Sequence, residues 1–180
     1  MTFKIALVGC GGMGRRHAHG YIELRKYFDT VEMSAVCDVH GDVAATVADE
    51  IGDATGSRPT IYTDFDEMLA KADLDGVAIV TSTPMHHLFA IKAMEAGLHV
   101  ITEKPMGLTL KACRMMRDVS KATGKVMAVA ENYRRDPMNR LTRALIDAGA
   151  IGTVEVRPHH VHKLAGGIGD QGRWIPHAWA

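Results

Sequence analysis

The sequence predicts an α/β protein: a doubly wound parallel sheet followed by the start of a second, α+β unit. Three observations carry this. Six short apolar runs alternate with longer helix-like segments between residues 3 and 130. Each run is apolar on both faces, which suits parallel strands covered by helices on both sides rather than a half-solvated antiparallel sheet. The alternation ends near residue 130, after which a helix is followed by a stretch of polar–apolar alternation.

Phe3–Val8 reads as the first buried strand. A glycine run over residues 9–14 ends it, and residues 13–28 read as a helix. Val31–Cys37 is the second strand, with a helix over residues 42–51 behind it. Residues 58–62 make a short third strand. Asp64 caps the next helix, with Glu67 three positions on as its capping-box partner. Residues 76–80 form the fourth strand, and a helix over residues 86–96 stops at Gly97. Residues 98–101 are the fifth strand. Thr109 caps a helix running to Thr123, and Gly124 suits its left-handed exit. Residues 126–130 complete the set. Beyond them, residues 137–148 carry Leu141, Leu145 and Ile146 on one helical stripe, with Asp136 as cap and Pro137 in the first turn. Residues 153–162 then alternate like an antiparallel strand, and the text from Gly166 is loop-like.

Composition narrows the class. The chain has 180 residues, 47% hydrophobic, with 21 Lys+Arg against 21 Asp+Glu. It can bury a core, and the charge balance argues against a nucleic-acid or membrane-surface partner. No apolar run approaches the ~18 residues of a membrane span. Three cysteines without CxxC spacing, and an N-terminus without a signal-peptide h-region, fit a cytoplasmic protein. The eleven methionines read as core filler.

Gly9-Cys10-Gly11-Gly12-Met13-Gly14 matches GxGxxG between the first strand and the first helix. Gly9 permits the tight turn, Gly11 lets backbone approach a pyrophosphate, and Gly14 lets helix and strand pack closely. Gly12 and Met13 open the helix whose N–H groups and dipole favour the anion. An acid at the end of the second strand is the second requirement, and Asp38 supplies it, 24 residues after Gly14. It can accept from the adenosine ribose hydroxyls and would repel a 2′-phosphate, which favours NAD; the alternative is that it caps the following helix. Arg15 and Arg16 either accommodate a 2′-phosphate, keeping NADP as the alternative cofactor, or form a solvated helix face. His17 on the same helix falls near the pyrophosphate.

Lys104 follows the fifth strand, at the edge where open α/β sheets bind ligands. An ammonium there can hydrogen-bond a substrate hydroxyl and stabilise the alkoxide, or act as a base if desolvated beside other cations. Glu103 can bind a ribose hydroxyl. The plain alternative is an exposed Glu-Lys pair before a Pro-Met turn.

The stretch containing Thr81, His86, Ala90, Ala93, Gly97, His99-Val100 and Glu103-Lys104-Pro105 resembles the glucose–fructose oxidoreductase/inositol dehydrogenase (Gfo/Idh/MocA) family. The resemblance runs from Lys4 to about Gly152, where Ile151-Gly152-Thr153-Val154 is similar to the family's entry into its second domain. It implies a Rossmann domain over residues 1–130 and the beginning of an incomplete substrate domain over residues 131–180. It implies an NAD(P)-dependent oxidoreductase moving a hydride between nicotinamide and a sugar, polyol or sugar-derived hydroxyl, homo-oligomeric at full length. Lys104 is then the catalytic residue at the substrate hydroxyl. Thr81, Ser82, Thr83, His86, Glu103 and Lys104 line the cofactor, and Asn132 and Arg134 face the nicotinamide or substrate. Asn132 and Arg134 also fit a solvated linker, and the two roles coexist.

Two departures stand out. Ser82 occupies the family's proline position, and the proline here is Pro84. The D-x-x-x-H pair that carries the family's general acid/base does not follow Gly152; Arg173 stands where a histidine would fall, and His177 lacks its aspartate. No catalytic histidine is assigned, and a catalytically incomplete NAD-binding module is the second reading. An unrelated Rossmann protein such as a methyltransferase is the third. His160 and His162 share a strand face beside His159, but spacing supplies no third ligand, so no metal is expected.

Overall fold

The computed structural model describes residues 2–153. Six strands, β1 (Phe3–Val8), β2 (Val31–Cys37), β3 (Thr60–Tyr62), β4 (Gly76–Ile79), β5 (His99–Thr102) and β6 (Met127–Val129), form a parallel sheet in the order β3-β2-β1-β4-β5-β6. The helices are α1 (Gly12–Arg25), α2 (Gly41–Thr55), α3 (Phe65–Lys71), α4 (Thr83–Glu95), α5 (Leu110–Thr123) and α6 (Pro137–Asp147). The doubly wound prediction holds.

Strand periodicity builds the two cores. Successive side chains point to opposite faces, so Ala6 and Val8 of β1 join Val77 and Ile79 of β4 on one side, against Met68 of α3, Ala93 and Met94 of α4 and Met116 of α5. Ile5 and Leu7 point the other way, to Ala18 of α1 and Ala44, Val47 and Ile51 of α2. Leu7 and Ile79 are fully buried, each worth about 1.5–3 kcal/mol over leaving it exposed. The ladder slips once: Ile5 pairs with Met33 and Ala6 with Ala35, so Ser34 is passed over as a bulge.

Caps fall where their chemistry points. Asp64 accepts from Glu67 N at 2.7 Å and Thr109 from Ala112 N at 3.1 Å. Gly124 exits α5 at φ 68°, and Asp136 caps α6 through Met138 N and Asn139 N. The capping box is only half made, because the Glu67 carboxylate turns to Lys71 Nζ at 2.7 Å.

Several boundaries differ from the sequence reading. α4 begins at Thr83 rather than residue 86, because Pro84 sits in the first turn, where its missing N–H costs no helical bond and its φ is preset. α2 runs on to Thr55, where Gly56 at φ 75° donates to Gly52 O. α1 stops at Arg25, where Lys26 N turns to Glu23 O and Tyr27 N to Leu24 O in a tightened last turn. β5 is displaced by one residue, to His99–Thr102, and β6 is shorter than residues 126–130.

The chain divides into two compact units, residues 1–133 and 134–180. In the second, α6 is described, with Leu141 and Leu145 exposed on its stripe. The strand expected over residues 153–162, with His159, His160 and His162, lies almost wholly outside the described residues, as do Arg173 and His177. Among the described residues no helix is long and apolar enough to cross a membrane.

Candidate functional site

β1 and β4 are hydrogen-bonded neighbours from which the chain departs toward opposite edges of the sheet. This is the switch point where such sheets open a crevice at the carboxyl ends of their strands. Gly9 leaves β1 at φ 93°, and a Cβ on it would stand 2.7 Å from Val80 O. A Cβ on Gly14 would collide with the Gly9 carbonyl, so strand and helix close only without side chains at both positions. At Gly11 and Gly12, by contrast, a Cβ would meet nothing within 4 Å. Backbone is bare toward the crevice there. α1 has Gly11 as N-cap, no side-chain cap and no acid in its first turn. Its unpaired N–H groups and positive dipole end therefore suit an anion. Met13 stands exposed in that first turn.

Asp38 ends β2 and fastens the loop. Its Oδ2 accepts from Cys10 N at 2.7 Å and its Oδ1 from His40 N at 3.0 Å. The N-cap of α2 is His40, so the helix-capping alternative gives way to a tie between Asp38 and the glycine loop. Each carboxylate oxygen keeps a further lone pair for a ligand hydroxyl. A cavity of about 570 Å³ opens beside it, lined by Gly9, Gly11, Asp38, Thr81 and Ser82. Val39, Thr63, Asp64, Phe65, Asp66, Met85 and Phe89 also line it, none of them singled out from sequence as a ligand contact. The loop after β3 was legible as a carboxyl-edge loop like the others, but Asp64 spoke only as a cap. Phe65 and Phe89 pack ring to ring at 4.4 Å beneath it.

Arg15 is drawn away to α2, where its guanidinium pairs with Glu50, with Nε 2.9 Å from Oε2. His19 Nε2 lies 3.2 Å from the same carboxylate. The Arg15 hydrogen bond leads in holding Glu50 below the usual carboxylate range, and His19 adds to it against the upward push of desolvation. Arg16 is exposed. Burial, reinforced by the Asp38 charge, pushes the Cys10 and Cys37 thiols up to about 12. Both are neutral and inert beside the loop.

A second group of residues follows β5. Glu103 N bonds Ile79 O at 2.9 Å as the chain leaves the sheet. The Glu103 side chain, 12% exposed, turns toward α1: Oε1 lies 3.0 Å from His17 Nε2, and Oε2 accepts from Lys104 N at 2.9 Å. Burial pushes the Glu103 carboxyl up, but the His17 and Lys104 hydrogen bonds and charges outweigh it, and the net shift is downward. Lys104 itself is exposed. His86, read from sequence as a cofactor contact, is only 1% exposed and lies beneath the loops. Its Nδ1 is 3.0 Å from Pro105 O and its Nε2 3.0 Å from Thr81 O. Thr83 opens α4 and is not among the cavity's lining residues. Asn132 starts the 3-10 turn Asn132–Arg134 after β6, and Arg134 belongs to the second unit.

A bare glycine turn at the sheet's switch point, tied to an acid on the neighbouring strand, defines a dinucleotide-binding Rossmann domain. Residues 3–131 match the family model described as "Oxidoreductase family, NAD-binding Rossmann fold" (GFO_IDH_MocA), and the chain belongs to that family. It is 36% identical over 152 residues to D-apiose dehydrogenase of Paraburkholderia graminis, matching 84% of this chain and 38% of that protein. It is 29% identical over 166 residues to a glycosyl hydrolase family 109 protein of Shewanella baltica, matching 89% of this chain and 35% of that one. The structure of scyllo-inositol dehydrogenase from Lactobacillus casei, with bound NAD(H) and scyllo-inositol, superimposes with a TM-score of 0.75 at 29% identity. That match covers 84% of this chain and 43% of that one, so the chain spans about two-fifths of the relatives' length.

Proposed function

We propose that this chain contributes the cofactor half of an NAD-dependent dehydrogenase acting on a sugar or polyol hydroxyl, or on the matching carbonyl. The observation that carries the cofactor choice is Asp38, fastened to the glycine loop through Cys10 N at 2.7 Å. Its charge favours neighbouring ribose hydroxyls and opposes a 2′-phosphate. Asp64 and Asp66 line the same cavity, and of the two arginines that could accommodate the phosphate, Arg15 is engaged with Glu50 while Arg16 is exposed.

NAD bound in this crevice supplies the hydride acceptor. The chain's own groups do the rest. The backbone at Gly11, Gly12 and Met13 holds the pyrophosphate, with Gly9 and Gly14 shaping the turn. Thr81 and Ser82 flank the cofactor, and Glu103 meets a ribose hydroxyl. The Lys104 ammonium hydrogen-bonds the reacting oxygen and stabilises the negative charge that develops on it; no described residue is assigned as the base that takes the hydroxyl proton. Residues 131–180 begin the substrate domain, and Asn132 opens the 3-10 turn that follows β6. The D-apiose and scyllo-inositol dehydrogenases among the relatives support this substrate class.

The test is NADH formation with a panel of aldoses and polyols, in wild type and Lys104→Met. The reading expects NADH from at least one compound, and its loss in Lys104→Met with NAD binding retained. Release of sugar from a glycoside without net NADH would instead assign a hydrolase, since hydrolysis leaves no reduced cofactor behind. NAD binding with no NADH across the panel would leave a binding module.

A further inference from the structure

Lys104 makes no side-chain hydrogen bond or ion pair among the described residues, and it is exposed. Packing therefore does not aim its ammonium; the backbone of residues 103–105 does. We infer that His17 and His86 are positioning residues that clamp this turn from opposite faces of the sheet and so set where Lys104 stands. The inference rests on the reading of Lys104 as the group at the reacting hydroxyl.

The grip on the N-terminal side runs through Glu103. Its carboxyl is held in the charged form, which only accepts, so His17 Nε2–H donates to Oε1 at 3.0 Å while Lys104 N–H donates to Oε2 at 2.9 Å. One carboxylate thus ties the lysine's own amide to α1. The grip on the C-terminal side is direct: His86 Nδ1 reaches the carbonyl of Pro105, the residue after the lysine, at 3.0 Å. The other ring nitrogen of His86 reaches Thr81 O at 3.0 Å, on a residue that lines the cofactor cavity. Both His86 partners are carbonyl oxygens, so a neutral ring donates its one N–H to whichever of them its tautomer faces, and the other carbonyl stands beside the second ring nitrogen.

The two helices come from different sides. α1 contributes to the core with α2, and α4 to the core with α3 and α5. The histidines lie 86 and 19 positions from their partners in the turn, so the fold, not local sequence, brings them together. Side-chain exposure is 19% for His17 and 12% for Glu103, and His86 is 1% exposed. Water replaces such bonds poorly. The clamp also couples the cofactor loop at Thr81 to the lysine turn through one ring. A catalytic group misplaced by about 1 Å can cost about 100-fold in rate, so a clamp of this kind bears on turnover rather than on binding.

The test reads the Lys104 amide directly, by hydrogen exchange in the 180-residue chain, with β1 and β4 amides as the control for an intact sheet. His17→Leu is expected to speed exchange at Lys104 by about tenfold or more through local opening, and His17→Gln, which keeps an N–H donor, to bring it back near wild type. An unchanged Lys104 amide in His17→Leu overturns the inference, as does a loss that His17→Gln fails to restore. For His86, the ring N–H proton of wild type is expected to be protected from exchange, a measurement that needs no variant to fold; a freely exchanging ring proton overturns that half of the clamp. In NADH formation, His17→Leu should lower kcat by about tenfold or more with little change in substrate KM, the signature of a lost transition-state interaction. A raised KM with kcat retained contradicts the inference. Absence of NADH in wild type would count against the dehydrogenase reading alone, because the exchange measurements still decide the clamp.

Discussion

Asp38→Ala separates two jobs held by one carboxylate. Cys10, whose N–H donates to Oδ2, is only 2% exposed. Removing the acceptor leaves a buried donor unpaired, at about 1–3 kcal/mol. The His40 N–H that donates to Oδ1 is exposed, so water takes over there and little is lost. The sum is about 2 kcal/mol, and at roughly 2–4 °C per kcal/mol for a chain of this size the melting temperature should fall by about 4–8 °C. Asp38→Asn keeps an acceptor for Cys10 and should lose about 1 kcal/mol or less. Both substitutions remove the charge that a ribose hydroxyl would meet, so NAD affinity should fall by about tenfold or more in each. Thermal melting followed by circular dichroism, with NAD titration of the same samples, reads both effects. An Asp38→Ala chain that melts with wild type would refute the tie to the glycine loop. Unchanged NAD affinity in both variants would refute the ribose role.

Other outcomes follow from the same geometry. Gly14→Ala places a Cβ on the Gly9 carbonyl and should yield little folded chain, whereas Gly11→Ala, with open space around its Cβ, should fold and lose NAD affinity; soluble yield and titration check the pair. Glu103 titrates below its ordinary value of 4.5 in the folded chain. The unfolded chain therefore binds this proton more tightly, so the stability Glu103 contributes is complete above about pH 4.5 and is lost as pH falls through the lowered value. Glu103→Gln should flatten the acid limb of a stability–pH curve, and an unaltered limb would contradict the cited shift. Cys10 and Cys37 are buried with thiols pushed up to about 12, and Cys113 is partly exposed. A thiol reagent at neutral pH should label Cys113 alone in the native chain, as read by mass spectrometry of peptides.

The fold was legible because its signals are local and repeated. Strands apolar on both faces, Thr109 and Asp136 as caps, and glycines at Gly97 and Gly124 each act within a few residues, and the structure uses them. Pro84 misled because a proline at a helix start reads as a break until the position of the first turn is known. The site was legible in part. GxGxxG and Asp38 follow from a spacing set by one βαβ unit. The wall at Thr63, Asp64, Phe65 and Phe89 was not, since its members come from loops that only the sheet order brings beside Gly9. His86 carried a family position but not its environment: nothing in the sequence tells a ring facing a cofactor from one buried between Thr81 O and Pro105 O. His17 meets Glu103 across 86 residues, a separation no local pattern encodes.

In the proposed function the acid at the end of β2 chooses the cofactor. Calorimetric titration of the chain with NAD and with NADP tests this most directly. The expected result is NAD binding with NADP weaker by about tenfold or more, a gap of at least about 1.4 kcal/mol, which narrows in Asp38→Ala. Binding of NADP as tightly as NAD, or of neither dinucleotide, would contradict it.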